Sequence, residues 1–326
     1  MIVNSAEIFN IKTESDFNNL ALRIYNFQKS HIPVYAAFVE YLNAGQEPKH
    51  YTEIPFLPID FFKRHIIAPE NTLKEIVFSS SGTTGQSTSK HIVTDVELYR
   101  QSYTKGFYEF YGYVQNYCIL ALLPNYLERE GSSLIYMVED LIKQSGHPKS
   151  GFLLYNHEDL YQKLQQLKAE KQKTILIGVT YALLDFVEKY RLDFPELIVM
   201  ETGGMKGKRK EMIREELHQL LCQGFGVSSI HSEYGMTELL SQAYSKGNGI
   251  FKCPPWMKIL TRDINDPLNV LETNKTGGIN VIDLANLNSC AFIATQDLGK
   301  KLPDNQFEIL GRFDNSDIRG CNLLVG

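Results

Sequence analysis

Short apolar runs alternate with amphipathic stretches between about residue 75 and residue 235. Six runs have the length and composition of buried strands: EIVFS (75–79), YCILALL (117–123), FLLY (152–155), TILIGV (174–179), LIVME (197–201) and VSSIH (227–231). Between them, stretches such as SLIYMVEDLIKQ and KRKEMIREELHQLL repeat apolar residues at helical spacing. This alternation predicts an α/β fold with a largely parallel sheet covered by helices on both faces.

The two ends of the chain differ from this middle part. The pattern of residues 1–70 predicts helices packed on the core, and that of residues 71–250 predicts the α/β core itself. In residues 251–326 the runs FKCPPWMKIL, GGINVIDL, CAFIAT and QFEILGR follow one another with turn residues between them, which predicts a small antiparallel β subdomain. Near the start of the core, Thr94 and Glu97 have the spacing of a helix capping box.

Composition excludes several classes of protein. The net charge of −5 argues against a nucleic-acid-binding surface. No apolar run is long enough for a membrane span, and the first residues lack the features of a signal peptide. The five cysteines form no CxxC pair, so neither a zinc knuckle nor a disulfide scaffold is expected. A cytoplasmic protein is the simplest interpretation.

The segment VFSSSGTTGQSTSK (77–90) is rich in hydroxyl groups and follows an apolar run. Gly82 and Gly85 permit close approach of the backbone to a ligand, and free N–H and hydroxyl groups suit phosphate oxygens. Lys90 adds a positive charge. The segment matches neither the Walker A pattern nor GxGxxG. A phosphate-binding loop and a polar surface loop therefore both fit the composition.

Three later segments carry further polar groups. HSEYGMTE (231–238) contains Glu233 and Glu238, and a carboxylate near a phosphate loop suits Mg²⁺. TQDLGK (295–300) places Asp297 in a predicted tight turn, where it could accept hydrogen bonds from ribose hydroxyls or cap the turn. GRFDNSD (311–317) places Arg312 after a strand. Each segment alone also fits a solvated turn.

In their order, SSSGTTG with a following lysine, GG, YGMTE, QDLG and GRFD resemble the core motifs of adenylate-forming enzymes. That superfamily includes acyl-CoA synthetases, luciferases and peptide-synthetase adenylation domains. The resemblance implies that ATP and Mg²⁺ are the cofactors. It also implies that the ATP phosphates would be held by Ser80, Ser81, Gly82, Thr83, Thr84 and Gly85.

The same resemblance assigns roles to the later motifs. Gly203 and Gly204 would flank the adenine, and Tyr234, followed by Gly235, would stack on it. Thr237 would contact the α-phosphate and Glu238 would bind Mg²⁺. The ribose hydroxyls would be held by Asp297, assisted by Arg312.

The chain departs from the superfamily after its last motif. Most members continue into a mobile C-terminal domain that supplies a catalytic lysine, and here only ten residues, DIRGCNLLVG, follow Ser316. We therefore expect the mobile domain to be absent. Lys90 is one candidate to replace the lysine, and the alternatives are Lys206, Lys208 and Lys210.

Cys321 lies in that final segment, and a thiolate is a good nucleophile for an acyl adenylate. The terminal RGC, together with LPNYLEREGSSLIYM (123–137), resembles the LuxE family of acyl-protein synthetases. This resemblance implies activation of a fatty acid with ATP, transfer to Cys321, and delivery to an acyl reductase partner.

Two other functions remain open on the sequence. A truncated CoA ligase of the phenylacetate-activating type would use CoA as acceptor, with Cys321 structural. A non-catalytic subunit would bind acyl or nucleotide ligands within a reductase complex, and the missing lysine favours it.

Overall fold

The computed structural model describes residues 3–42, 47–80, 88–124, 131–153, 156–203 and 212–312. Its helices are α1 (Ser5–Ile8), α2 (Glu14–His31), α3 (Pro33–Tyr41), α4 (Phe61–Arg64), α5 (Val96–Tyr111), α6 (Ser133–Ser145), α7 (His157–Ala169), α8 (Thr180–Lys189) and α9 (Arg214–Phe225). Several of the predicted site residues lie outside these described ranges: Ser81 to Gly85, Gly204, Lys206, Lys208, Lys210 and Cys321.

The strands fall mainly where apolar runs occur in the sequence. They are β1 (Leu57–Pro58), β2 (Ile76–Ser79), β3 (Lys90–Val93), β4 (Cys118–Leu122), β5 (Gly151–Phe152), β6 (Thr174–Val179), β7 (Ile198–Thr202), β8 (His231–Tyr234), β9 (Ala243–Ser245), β10 (Ile250–Lys252), β11 (Met257–Arg262), β12 (Thr276–Asp283), β13 (Phe292–Lys301) and β14 (Gln306–Arg312).

Twelve of these strands form one mixed sheet in the order β11-β12-β13-β14-β10-β9-β8-β7-β6-β4-β5, with β1 parallel to β13. Strands β4 to β8 are parallel neighbours, and β6 is buried along its whole length. From β9 onward the neighbours are antiparallel. The predicted α/β class is confirmed.

The sheet continues across the predicted boundary at residue 250. Strand β9 pairs with both β8 and β10, and β10 pairs with β14. The parallel strands and the later antiparallel strands therefore share one hydrogen-bonded ladder, and the end of β8 lies where the pairing changes from parallel to antiparallel.

The segment 75–79 does not join that sheet. Strand β2 pairs with β3 in a separate antiparallel hairpin, with Phe78 opposite His91. Only Phe78 of β2 is buried, and Val77 is 39 % exposed. The prediction of a buried strand in the parallel sheet was wrong here, because a short apolar run has no periodicity that distinguishes a hairpin from a buried strand.

Three local predictions were also wrong. The strand predicted at 227–231 lies at His231–Tyr234. The side chain that caps α5 is Asp95, which accepts from the Leu98 N–H at 2.9 Å, and not Thr94. Asp297 lies within β13 and not in a tight turn. In each case the sequence pattern marked the segment and misplaced the boundary by a few residues.

Helix α6 shows how local sequence and packing agree. Ser132 caps its first turn by accepting from the Ile135 N–H, and Gly146 ends it in the left-handed conformation with a φ of 62°. Met137, Val138 and Leu141 form its buried face. Within the described residues, no helix has the length and apolar character needed to cross a membrane.

Candidate active site

A cluster of three side chains joins β8, β13 and β14. The Tyr234 hydroxyl donates to Asp297 Oδ2 at 2.7 Å, and Arg312 Nε donates to Asp297 Oδ1 at 3.0 Å. The pairing of β13 with β14 sets Asp297 directly opposite Arg312. The carboxylate is buried, whereas the Arg312 side chain is 73 % exposed. The structure therefore brings together three of the predicted site residues around one carboxylate.

The ring of Tyr234 packs edge-on against Phe251 and Phe307. Burial, followed by the charge and hydrogen bond of Asp297, raises the pKa of Tyr234 well above its usual value. The hydroxyl is therefore a fixed donor to Asp297 near neutral pH. Stacking of this ring on adenine stays a prediction.

The turn after β8 carries Gly235, Thr237 and Glu238. Gly235 is exposed, and a Cβ at this position would lie 2.4 Å from Glu233 Oε1. The Thr237 carbonyl accepts from His91 Nδ1 of β3 at 2.8 Å. The Glu238 carbonyl accepts from Asn286 Nδ2 at 2.7 Å. The predicted α-phosphate and Mg²⁺ residues thus have a backbone held from two sides.

Glu238 has a buried carboxylate. Burial raises its pKa, and a hydrogen bond from Ser89 and the charges of Arg312 and Lys63 offset this only in part. Among the described residues it has no ion-pair partner, and no group of three or more His, Cys, Asp or Glu side chains is close enough to hold a metal. The donor set fits Mg²⁺ only if phosphate oxygens and water complete the coordination.

The β2–β3 hairpin carries the segment that resembles a phosphate loop. Ser80 and Ser89 close its base, with Ser80 N donating to the Ser89 carbonyl at 3.1 Å and Ser89 N donating to Ser80 Oγ at 2.9 Å. Since Ser89 also contacts Glu238, the base of the loop meets the turn after β8. Lys90 is exposed at the first position of β3.

Gly203 follows β7 at the same edge of the sheet. Its φ is 68°, which favours glycine, and its carbonyl accepts from Thr180 Oγ1 at 2.6 Å. Thr180 is the first residue of α8 and also contacts Glu201, so β7 and α8 share one hydroxyl.

Glu201 and Glu233 were not assigned roles by the resemblance, yet both lie at this edge. Glu201 Oε1 accepts from Ser232 Oγ at 2.9 Å and lies 3.3 Å from His218 Nε2. Burial acts to raise the pKa of Glu201, but the His218 hydrogen bond and the Arg214 charge outweigh it and the pKa is lowered.

Glu233 is in the opposite situation. Thr202 Oγ1 donates to its Oε2 at 2.5 Å, and among the described residues no cation pairs with it. Burial and the neighbouring charge of Glu201 raise the pKa of Glu233 to about 7, with Thr202 opposing. In the pairing of β7 with β8, Glu201 lies opposite Ser232 and Thr202 lies opposite Glu233. The sequence alone does not show this pairing.

Helix α4 contributes groups that the sequence pattern did not mark. Asp60, the residue before this helix, accepts from Lys63 Nζ at 2.7 Å and from Gln296 Nε2 at 2.8 Å, so the start of α4 is joined to the residue before Asp297.

Four cysteines lie within the described residues: Cys118, Cys222, Cys253 and Cys290. Burial raises the pKa of all four thiols, to about 12 for Cys290. Each is therefore a poor nucleophile near neutral pH.

The profile of the acyl-protein synthetase family LuxE matches residues 48–326. The chain belongs to the LuxE family. No curated protein sequence matches it. The match covers every segment on which the resemblance was based, from the hydroxyl-rich loop to the terminal RGC.

Solved structures with the same fold include an ATP-bound protein and proteins in complex with an adenylate. ATP-bound MatB from Rhodopseudomonas palustris is 16 % identical, with a TM-score of 0.53 over 72 % of this LuxE chain and 47 % of MatB. An open 2-hydroxyisobutyryl-CoA ligase in complex with 2-HIB-AMP and CoA is 10 % identical, with a TM-score of 0.66 over 93 % and 70 % of the two chains. McyG A-PCP with phenylalanyl-adenylate is 17 % identical, with a TM-score of 0.54 over 84 % and 51 %. This chain thus spans about half the length of MatB.

Proposed function

We propose that this protein activates a fatty acid with ATP and carries the acyl group on Cys321. The observation that supports activation most directly is the convergence of the hairpin base, the turn carrying Thr237 and Glu238, and the Tyr234–Asp297–Arg312 cluster. The MatB, ligase and McyG structures hold ATP or an adenylate in proteins of this fold. Family membership supports the acyl-protein product.

In the first step a carboxylate oxygen of the substrate attacks the α-phosphorus of ATP. The bond between the α-phosphorus and the bridging oxygen breaks, giving acyl-AMP and pyrophosphate. Asp297, with two oxygens oriented by Tyr234 and Arg312, retains lone pairs for the ribose hydroxyls. Glu238 and the phosphate oxygens would share Mg²⁺, which stabilises the charge that develops during transfer.

In the second step the Cys321 thiolate attacks the acyl carbonyl and AMP leaves. The product is a thioester, and the thiol proton passes to solvent when the thiolate forms. The raised thiol pKa values of the four described cysteines support Cys321 as the acceptor. The resemblance to the family supports delivery of the acyl group to an acyl reductase. The net charge of −5 argues against a nucleic-acid partner.

Intact-mass spectrometry after incubation with ATP, Mg²⁺ and a panel of fatty acids tests this function. We expect a hydroxylamine-labile acyl adduct that disappears in Cys321→Ser and persists in the matched control Cys222→Ser. An adduct that survives in Cys321→Ser would contradict the assignment of the acceptor.

Pyrophosphate exchange in the same samples separates the steps. AMP release that requires CoA, without an adduct, would identify a CoA ligase. Absence of both exchange and adduct, with the reductase partner present, would identify a binding subunit.

A further inference from the structure

A small cavity lies between the β2–β3 hairpin, the start of α5 and the turn after β12. Its lining includes His91, Thr94, Leu240 and Asn286, and its volume, measured for the centre of a water molecule, is ≈ 10 Å³. Three buried polar atoms of these lining residues, His91 Nε2, Thr94 Oγ1 and Asn286 Oδ1, have no hydrogen-bond partner among the described residues. Buried polar atoms of this kind are rare and are usually satisfied by ordered water.

The hydrogen bond on the other side of the ring decides what His91 Nε2 can do. The Thr237 carbonyl can only accept, so His91 Nδ1 must carry the proton of the 2.8 Å bond between them. Burial favours the neutral ring and lowers the pKa of His91 to about 4, although the Thr237 carbonyl and the Asn286 amide oppose this. Nε2 of the neutral ring is then an acceptor.

The orientation of Asn286 is fixed in the same way. Its Nδ2 donates both hydrogens, to the Glu238 carbonyl at 2.7 Å and to the Cys290 carbonyl at 2.9 Å. The opposite orientation would set Oδ1 against two carbonyl oxygens, so Oδ1 must be the atom left without a partner. Two acceptors therefore belong to one small cavity, and neither can satisfy the other.

Thr94 supplies the complementary group. Its hydroxyl is not needed as the cap of α5, because Asp95 performs that role. A water molecule has two hydrogens for the two acceptors and a lone pair for the Thr94 hydroxyl, which gives it three hydrogen bonds. The available volume is that of about one water.

We propose that His91, Thr94 and Asn286 bind one ordered water molecule, and that His91 thereby acts as a positioning residue for Thr237 and Glu238. The water would join the two residues that hold the backbone carbonyls of Thr237 and Glu238. The segment continues into Leu240 and Ser241, whose N–H groups donate to Asp283 at 2.8 and 2.9 Å. The hairpin and the turn after β12 are then coupled through this segment.

A crystal structure at high resolution tests the water directly. We expect a density peak within hydrogen-bond distance of His91 Nε2, Thr94 Oγ1 and Asn286 Oδ1, and its loss in Thr94→Val or a shift toward the other two atoms. Direct contact of His91 Nε2 with Asn286 Oδ1, without a peak, would overturn the proposal.

Nitrogen NMR of the labelled imidazole gives an independent test in solution. We expect the Nδ1–H tautomer of His91 to persist from pH 6 to pH 8. A protonated Nε2 in this range would overturn the proposal, because Nε2 would then be a donor that can bond Asn286 Oδ1 directly, and the water would lose one of its two acceptors. Neither measurement depends on catalysis.

The positioning role rests on the proposed function and is tested by a matched pair of variants. His91→Asn keeps a donor near the position of Nδ1, and His91→Phe removes both nitrogens. We expect kcat for pyrophosphate exchange to fall about 10-fold in His91→Phe and to be largely restored in His91→Asn. The KM for ATP should change little because Tyr234 and Asp297 are intact.

An equal loss of kcat in both variants, or a loss of folded protein with unchanged kcat, would contradict a positioning role. If the unaltered protein shows no exchange at all, the proposed function fails. The density peak and the tautomer then still decide whether the water site exists.

Discussion

The two faces of β8 carry carboxylates in opposite electrostatic environments. On one face, the Ser232 hydroxyl donates to Glu201 and the Tyr234 hydroxyl donates to Asp297. Each of these carboxylates also lies beside a basic side chain, His218 for Glu201 and Arg312 for Asp297. On the other face, Glu233 has the Thr202 hydroxyl and no cation among the described residues. The pKa of Glu201 is lowered and that of Glu233 is raised to about 7. Similar burial thus gives opposite protonation because only one face supplies positive charge.

The largest expected effect is on the face with paired charges. Glu201→Ala leaves Thr180, Ser232 and His218 without their shared acceptor. We expect the free energy of unfolding to fall by about 3 kcal/mol, measured by urea titration. The control is Glu170→Ala, which removes only a surface ion pair with Lys149 and should cost less than about 1 kcal/mol. Equal losses in both variants would remove the distinction between the buried cluster and the surface.

Asp297 tests whether that face binds nucleotide. Asp297→Asn keeps the size of the side chain and removes the charge shared with Tyr234 and Arg312. If this carboxylate holds the ribose, ATP should bind roughly 100-fold more weakly, from two lost charge-assisted hydrogen bonds. Isothermal titration with ATP measures this. Unchanged affinity in a folded variant would place the nucleotide elsewhere.

The pH dependence of the free energy of unfolding tests the environment of Glu233 on the opposite face of β8. Because its pKa is higher in the folded state than the usual value of 4.5, its contribution to stability is full below pH 4.5 and is lost as pH rises through about 7. Glu233→Gln removes this dependence. We expect the free energy of unfolding of the variant, relative to the unaltered protein, to rise by about 2 kcal/mol from pH 5 to pH 8.

Urea titrations at several pH values supply the measurement. Glu201→Gln is the matched control: because the pKa of Glu201 is lowered from 4.5, this carboxyl is ionised in both the folded and the unfolded state from pH 5 to pH 8, so its difference should stay nearly flat there. Tyr99, Tyr111 and Tyr244 also sense the Glu233 charge, but their raised pKa values keep them neutral throughout this range. A flat difference for Glu233→Gln would show that its carboxyl is ionised and solvated.

The two faces also differ in how far the sequence predicted them. The motifs YGMTE, QDLG and GRFD marked Tyr234, Asp297 and Arg312, which the fold brings into direct contact. Local composition also predicted β6 at its observed bounds, because a continuous apolar run rich in Ile, Leu and Val is typical of a parallel strand buried on both faces.

Groups whose partners depend on strand register were not predicted. Nothing in the sequence shows that Thr202 faces Glu233, since the two are set side by side only by the parallel pairing of β7 with β8. His91 likewise meets Thr237 across 146 positions of the chain. The hairpin was missed because KHIV is too short to show alternation.

The smallest effect on stability is expected at Arg312, where it separates binding from folding. Its side chain is 73 % exposed although it pairs with a buried carboxylate, so solvent screens the pair. We expect Arg312→Ala to change the free energy of unfolding by less than about 1 kcal/mol. The same variant should weaken ATP binding several-fold, because Asp297 loses the partner that orients Oδ1.

Arg312→Lys is the informative companion, since it keeps the charge and loses the planar donor. If orientation of Asp297 matters, the lysine variant should bind ATP almost as weakly as the alanine variant. If charge alone matters, it should bind like the unaltered protein. A loss of stability as large as that of Glu201→Ala would instead make this ion pair part of the structural cluster, and the contrast between an exposed binding group and a buried framework on this face would fail.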